Sequence, residues 1–297
     1  MLRGIEMSQL LLESPVATKP TTPSPTAEDL YLDLMKRCLT RMLFPDVHQY
    51  GVVPKGKIKR RLYRPIATQL AKRRLSLTRR VPFSVERRTN GQDWPIEAET
   101  MVGLRRLDNI QHCVTTIIRD DVPGDLIETG VWRGGAVIFM RAVLKAYGDT
   151  SRTVWAADSF QGLPQPDPDR YPVDANDWLW KVPYLAIAEE TVRANFERYG
   201  LLDEQVRFLP GWFRDTLPTA PIERLSLIRL DGDMYESTMV ALESLYPKLS
   251  PGGFVIVDDY GAVPACPIAI RDFRAANEIH EPLQRIDNWS VFWRKLG

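Results

Sequence analysis

The segment GDLIETGVWRGGAVIFMRAVLKAYG (Gly124–Gly148) decides the fold. It opens with a short apolar run, Asp125 to Thr129, and breaks into a turn that holds Gly130, Gly134 and Gly135. It continues as an apolar helix-length stretch. A strand that passes through a glycine-bearing turn into a helix is the first half of a βαβ unit. The pattern repeats downstream. TVWAADSF (Thr153–Phe160) reads as a second strand and TVRANFERYGL (Thr191–Leu201) as a helix ending at Gly200. QVRFLPGWF (Gln205–Phe213) is a third strand and LSLIRLDGDMY (Leu225–Tyr235) a fourth. STMVALESLYPKL (Ser237–Leu249) is a helix closed by SPGG, and FVIVDDYG (Phe254–Gly261) is a fifth strand. These strands are apolar throughout rather than alternating, as in a parallel sheet covered on both faces. The last segment, LQRIDNWSVFWRK (Leu283–Lys295), reads as two short strands forming an antiparallel hairpin at the sheet edge. The reading is α/β: a Rossmann-like, mostly parallel seven-stranded sheet with helices on both faces and an N-terminal helical extension. No internal repeat is visible.

Outside this block the chain changes texture. The 297 residues, 44% hydrophobic and 26% charged, suffice for one sizeable domain and an appendage. A net charge of +1 argues against a nucleic-acid partner, which calls for a strong basic excess. Cys38, Cys113 and Cys266 lie far apart, an odd count with no metal-ligand spacing, so a reducing, cytoplasmic setting is expected. No apolar run is long enough to cross a bilayer, and Glu6 with a three-leucine patch makes a poor secretory signal. Met1 and Met7 both remain possible initiators. Residues 1–26, with SPVATKPTTPSPT (Ser14–Thr26), are expected to be a disordered lead-in. Residues 27–93 form the extension and 94–297 the catalytic domain. Leu30, Leu34, Cys38 or Leu39, and Met42 fall at helical spacing after an N-cap Thr26, with Pro45 ending the run. From Lys55 to Arg88 the chain is strongly basic, with Glu86 its only acid. Such a stretch reads either as a solvated, partly helical insertion or as a footprint for a phosphate-bearing partner.

Ligands of an open parallel sheet bind beyond the carboxyl ends of its strands. Four strand ends here carry acids. Glu128 and Gly130 end the first strand, and the turn with Gly134 and Gly135 lets a cofactor approach the backbone where a helix starts. Asp158 ends the second, where an acid can accept the two hydroxyls of a ribose. Glu128 would repel a pyrophosphate, so a cationic sulfonium with an amino-acid tail is the better guest. Asp231 and Asp233 end the fourth strand, and Asp258 and Asp259 the fifth. Carboxylates converging on one volume need a cation. An all-oxygen donor set selects a hard one, Mg²⁺ first and Mn²⁺ or Ca²⁺ next. The competing explanation is helix capping, for which Asp233 stands well placed. His112 and Cys113, in LDNIQHCVTTII, read as packing residues on an amphipathic helix.

GDLIETGVWRGG, WAADSFQGLPQPDPDRYP, GWFRDTLPTAPI, the run from Ile228 to Gly261 and CPIAIRDFR resemble the macrocin O-methyltransferase family, sugar O-methyltransferases of macrolide and aminocoumarin biosynthesis. The likeness covers roughly Trp94 to the C-terminus, and the helix around LYLDLMKRCLTR is also typical. The resemblance implies a class I methyltransferase fold, S-adenosylmethionine as donor, and Mg²⁺ at Asp231, Asp258 and Asp259. It makes Asp231 the base, with Asp233 standing in the same motif. It places Thr100 and Met101 on a segment covering the cofactor and Glu128, Thr129 and Gly130 about its methionine part. Asp158, Ser159 and Phe160 would surround the ribose and adenine. Gln165 to Tyr184 corresponds to a mobile lid over a glycosylated small-molecule acceptor, where Trp178 and Trp180 either stack on the acceptor or pack the lid. A homo-oligomer is expected. The basic insertion, residues 47–90, departs from the family pattern. A nicotinamide-dependent oxidoreductase would share the first two strand ends but has no use for the aspartate cluster. An adaptor built on the basic stretch would not need those acids either.

Overall fold

A computed structural model describes residues 24–297 apart from 45–48, 52, 53, 55, 74, 76, 81 and 94–96. Most of the expected lead-in, both candidate initiators and Pro45 lie outside the described residues. In chain order the elements begin with α1 (Ala27–Leu39), β1 (Gln49–Gly51), α2 (Lys57–Lys72), β2 (Thr78–Arg80), α3 (Val85–Thr89) and α4 (Leu104–Arg119). Then come β3 (Asp125–Thr129), α5 (Gly135–Ala146), β4 (Val154–Asp158), α6 (Glu189–Arg198), β5 (Val206–Pro210), α7 (Phe213–Thr216), β6 (Leu225–Leu230) and α8 (Tyr235–Leu245). The chain closes with β7 (Leu249–Val257), α9 (Ala265–Ala276), β8 (Gln284–Arg285) and β9 (Val291–Arg294). β1 and β2 make a small antiparallel ribbon of their own.

The seven remaining strands form one sheet in the order β5-β4-β3-β6-β7-β9-β8. The first five are parallel, and β9 and β8 add the expected antiparallel edge. Side chains alternate across it. Leu126, Ala156, Leu227 and Ile256 join α1, α4, α5 and α6 on one face. Ile127, Ala157, Ile228 and Val257 join α8 and α9 on the other. Both faces are therefore dry, which is why the strands carry no polar alternation. Cys113 is buried in the first layer, and His112 packs its ring edge-on to Phe254 and Phe292. No helix among the described residues is long and apolar enough to cross a membrane.

Three local expectations are corrected. Helix α1 begins with the Thr26 cap, which accepts from the Asp29 N–H while the Asp29 carboxylate accepts from the Thr26 N–H. Yet the row it buries is Leu32, Met35 and Leu39, whereas Leu30 and Leu34 are 59% and 51% exposed. Two apolar rows of helical spacing coexist on α1, and contact with α4 and α5 chooses between them. Strand β7 starts at Leu249, so SPGG belongs to the strand; Leu249 pairs with Leu225, and the Gly252 N–H bonds to Lys295 O. Helix α8 is not capped by Asp233. Its first N–H groups, those of Tyr235 and Glu236, donate to the buried carboxylate of Asp174, 2.8 and 2.9 Å away.

The extension is not uniform. Beyond the buried row of α1, Arg88 of α3 is wholly buried, donates to the carbonyls of Met101 and Val102 at 3.0 and 2.9 Å, and pairs with Asp93 at 3.3 Å. Among the described residues, helix α2 contributes to neither core layer. We propose that residues 94–297 form the catalytic domain, braced by α1 and α3 from the extension 27–93. Replacing Leu32 by Ala should cost about 2–5 kcal/mol of stability, and Leu34 by Ala within about 0.5 kcal/mol. Urea unfolding measures both, and a larger loss at Leu34 than at Leu32 would mean that the other row faces inward.

Candidate functional site

The parallel ladder continues one residue past each central strand and thereby brings the acids together. Gly130 N–H donates to Ala157 O at 2.8 Å, Asp231 N–H to Thr129 O at 2.9 Å and Asp258 N–H to Leu230 O at 2.9 Å. Chain order reverses about β3, with β4 on one side and β6 on the other, so a crevice opens where those strands end. Gly130 sits at its floor with φ +91, and a Cβ there would come within 1.9 Å of the Asp231 carbonyl oxygen. No other residue fits. Gly135 answers a different need from the one expected, because its missing side chain admits the chain's own backbone. The Gly135 N–H bonds to Glu99 O at 2.9 Å, and a Cβ would meet Glu99 O and Thr100 Cβ at 2.5 Å. The glycine turn thus holds the segment carrying Thr100 and Met101 across the cleft.

Two buried arginines, neither singled out in the sequence, organise the acids. Arg229, on β6, is fully buried and donates to Glu128 at 2.5 Å, to Asp231 Oδ2 at 2.7 Å and to Asp258 Oδ1. Arg106, on α4, bonds the other oxygen of Asp258 and pairs with Asp287 at 2.7 Å. The Asp233 N–H donates to Asp259 Oδ2 at 3.1 Å from a backbone at φ +60. Burial opposes the charge on Arg229, but Asp258, Asp231 and Glu128 overcome it and hold its pKa well above the ordinary value. Burial raises Glu128 to about 8 against the pull of Arg229. Asp231 rises to about 6, through burial first and the neighbouring Asp258 next, against Arg229. Asp233 and Asp259 stand well above the usual carboxylate range, from burial and then from the other aspartates.

Carboxylate oxygens of Asp231, Asp258 and Asp259 lie within 4.8 Å of one another. A compact, oxygen-only set whose members repel one another fits a hard divalent cation. Glu128 Oε2 is buried with no hydrogen-bond partner on the wall of a cleft of about 800 Å³. That orphaned acceptor fits a cationic donor such as an ammonium group.

Asp158 has work within the fold itself. One oxygen accepts from the N–H groups of Val131 and Trp132 at 2.8 and 3.3 Å, and the other from Phe160 N–H at 2.8 Å. It pins the glycine turn to the end of β4, and burial raises its pKa against those donors. It also lines a second, adjoining cleft of about 100 Å³ with Ser159 and Gly130, opposite Trp212, Phe213 and Arg214 beyond β5. Thr100, Met101, Glu128, Gly130, Asp158, Ser159, Asp231, Asp258 and Asp259 all face one or other cleft. Thr129 and Phe160 do not: the Thr129 hydroxyl donates to Arg229 O, and the Phe160 ring packs on Phe208 at 6.1 Å. Sequence reasoning passed over Trp132, which lines both clefts, and Trp212 to Arg214, of which Trp212 and Phe213 were read there as the tail of a strand. Their position just past a strand end was the available signal. The segment from Gln165 to Tyr184 folds as short turns over the larger cleft, where Trp178 is 64% exposed. Trp180 packs under Lys181.

Comparison with known proteins agrees with this architecture. The model of the macrocin O-methyltransferase (TylF) family matches residues 28–295. The chain is 54% identical over 269 residues to the 8-demethyl-8-(2,3-dimethoxy-α-L-rhamnosyl)-tetracenomycin-C 4'-O-methyltransferase of Streptomyces olivaceus, covering 90% of this chain and 93% of that one. It is 47% identical over 273 residues to the mycinamicin III 3''-O-methyltransferase of Micromonospora griseorubida, covering 91% and 98%. Among solved structures, the O-methyltransferase NovP superposes with a TM-score of 0.78 at 46% identity, over 91% of this chain and all of that one.

Arg229 is the shared counter-ion of this site, so Arg229→Met should cost about 3–5 kcal/mol by stranding Glu128 and part of Asp258. Adding Glu128→Gln should recover part of that loss. Thermal unfolding of the two variants measures it, and no recovery in the pair would mean that Glu128 does not depend on Arg229.

Proposed function

The chain belongs to the macrocin O-methyltransferase family, and from that premise we propose that it methylates a sugar hydroxyl of a glycosylated small molecule, using S-adenosylmethionine and a divalent cation, Mg²⁺ first. The observation that carries the reading is the convergence of Asp231, Asp258 and Asp259 beside the unpartnered Glu128 oxygen, at the switch point of the sheet. When bound, the cofactor supplies a methyl group on a positively charged sulfur, and the cation stabilises negative charge developing on a nearby oxygen. Glu128 is proposed to receive the ammonium of the amino-acid tail, and Thr100, Met101, Thr129 and Gly130 to enclose that end. Thr129 would serve there only by fixing the strand end between Glu128 and Gly130, since it faces neither cleft, its hydroxyl is committed to Arg229 O and its carbonyl accepts from the Asp231 N–H. Asp158 and Ser159 are proposed to meet the ribose, with Phe160 supporting them from the core.

The acceptor is proposed to enter the larger cleft beneath the 165–184 segment. A sugar hydroxyl attacks poorly until its proton leaves. Asp231 is the proposed base: Arg229 holds its Oδ2 at 2.7 Å and so aims the carboxylate. The cation is proposed to sit at Asp231, Asp258 and Asp259. The Streptomyces olivaceus relative is by name a methyltransferase of a rhamnosyl tetracenomycin, which supports the acceptor class.

Asp231→Asn should lower turnover by about 10²–10⁴-fold while S-adenosylhomocysteine still binds in calorimetric titration. Chelation should abolish activity and Mg²⁺ should restore it; full activity of metal-free enzyme would exclude the cation. Asp158→Ala should weaken S-adenosylhomocysteine by about 1.5–3 kcal/mol per lost charge-assisted bond, and an unchanged affinity would remove it from the ribose site.

A further inference from the structure

The larger cleft holds two unmet hydrogen-bonding groups of opposite sign. One is Glu128 Oε2, the buried acceptor described above; the other is Arg106 Nη2, a buried donor with no hydrogen-bond partner among the described residues. Arg106 is 6% exposed, and its other two nitrogens are committed, Nη1 to Asp258 and Nε to Asp287 at 2.7 Å. The Trp289 ring lies 5.4 Å from its guanidinium and steadies the plane. Glu128, Arg229, Asp258 and Arg106 thus form one chain of alternating charge, bonded link by link, and the two unmet atoms are its free ends. A buried donor or acceptor left without a partner carries a free-energy penalty that a suitable ligand removes.

A second feature calls for an anion at the Arg106 end. Arg106 is the third residue of α4, a 16-residue helix whose N-cap, Gly103, makes no side-chain bond and whose first turn carries no acid. Helices α1 and α8, by contrast, have the carboxylates of Asp29 and Asp174 at their starts. Met101, Val102 and Arg106, on either side of the start of α4, line the larger cleft. A helix N-terminus favours negative charge, and the guanidinium adds a full positive charge beside it. A carboxylate alone would leave Glu128 Oε2 unmet, an ammonium alone would leave Arg106 Nη2 unmet, and Glu128 would repel a phosphate. A zwitterion serves both. We propose that Arg106 Nη2 binds the carboxylate of the cofactor's amino-acid tail while Glu128 Oε2 binds its ammonium, so that the two ends of the chain together read an α-amino acid. The proposal rests on the reading of this site as one for S-adenosylmethionine, and it gives Arg106 a binding role beyond holding Asp258.

The test is calorimetric titration of the full chain, metal-free, so that the cation site does not enter. The ligands are S-adenosylhomocysteine, its decarboxylated form, which keeps the ammonium, its deaminated form, which keeps the carboxylate, and methylthioadenosine, which has neither. The wild type should prefer S-adenosylhomocysteine to the decarboxylated form by at least about tenfold, the worth of one charge-assisted bond. Arg106→Lys keeps a charge for Asp258 and Asp287 but lacks the planar fork that reaches a third partner. It should bring that ratio close to one while methylthioadenosine binds as it does to the wild type. Arg106→Met should do the same, and the lysine variant decides if stranding two aspartates keeps the methionine variant from folding. Glu128→Gln should remove the preference for S-adenosylhomocysteine over the deaminated form and keep the preference over the decarboxylated one. General damage to the site weakens all four ligands together, so unchanged ratios in folded Arg106 variants would make Arg106 structural only and overturn the proposal. So would a wild type that binds S-adenosylhomocysteine and its decarboxylated form equally. A wild type that binds neither S-adenosylhomocysteine nor methylthioadenosine would overturn the cofactor reading itself, and the proposal with it.

Discussion

The guanidinium of Arg229 is the constraint around which the strand-end cluster is arranged. Parallel strands deliver their carboxyl ends to one edge, and here β3, β6 and β7 each deliver acids. Without a fixed cation, Glu128, Asp231 and Asp258 would have to lie apart or stay protonated. A planar fork with five donors can serve all three, as it does; a lysine ammonium on a flexible stem would not hold the same directions. The requirement propagates outward. Arg106 takes the second oxygen of Asp258, and Asp287 takes Arg106 while accepting from the N–H groups of Trp289 and Ser290. Ser290 then donates its hydroxyl to Asp258 O at 2.7 Å. The turn between β8 and β9 is thereby tied to the cluster, which gives the short antiparallel edge a role in holding the site.

Much of this was legible in the sequence because the signals are local. A strand, a glycine turn and a helix occupy adjacent residues, so the sheet, its edge hairpin and the strand-end acids follow from periodicity and punctuation. What escaped depends on distance along the chain. Arg229 sits in an apolar run, and its partners become neighbours only once β3 and β7 flank β6. Asp174 looks like a loop residue until it meets the first N–H groups of α8, about sixty residues later. The choice between the two apolar rows of α1 was equally hidden, since both have helical spacing and only α4 and α5 decide which is covered.

The same cluster bears on which acid takes a proton. Both oxygens of Asp258 are held by guanidiniums, so its position is defined but its capacity to accept is largely used. Asp259 gives one oxygen to a backbone N–H. Asp231 gives one oxygen to Arg229 and keeps the other, while the Asp233 carboxyl has no hydrogen-bond partner among the described residues. A general base must be both aimed and available. Asp258 is aimed without being available, and Asp233 is available without being aimed. Asp231 has one oxygen in each condition, and the guanidinium that aims it also supports Glu128 and Asp258, so the geometry of the proposed base and that of the proposed cation site rest on a single side chain.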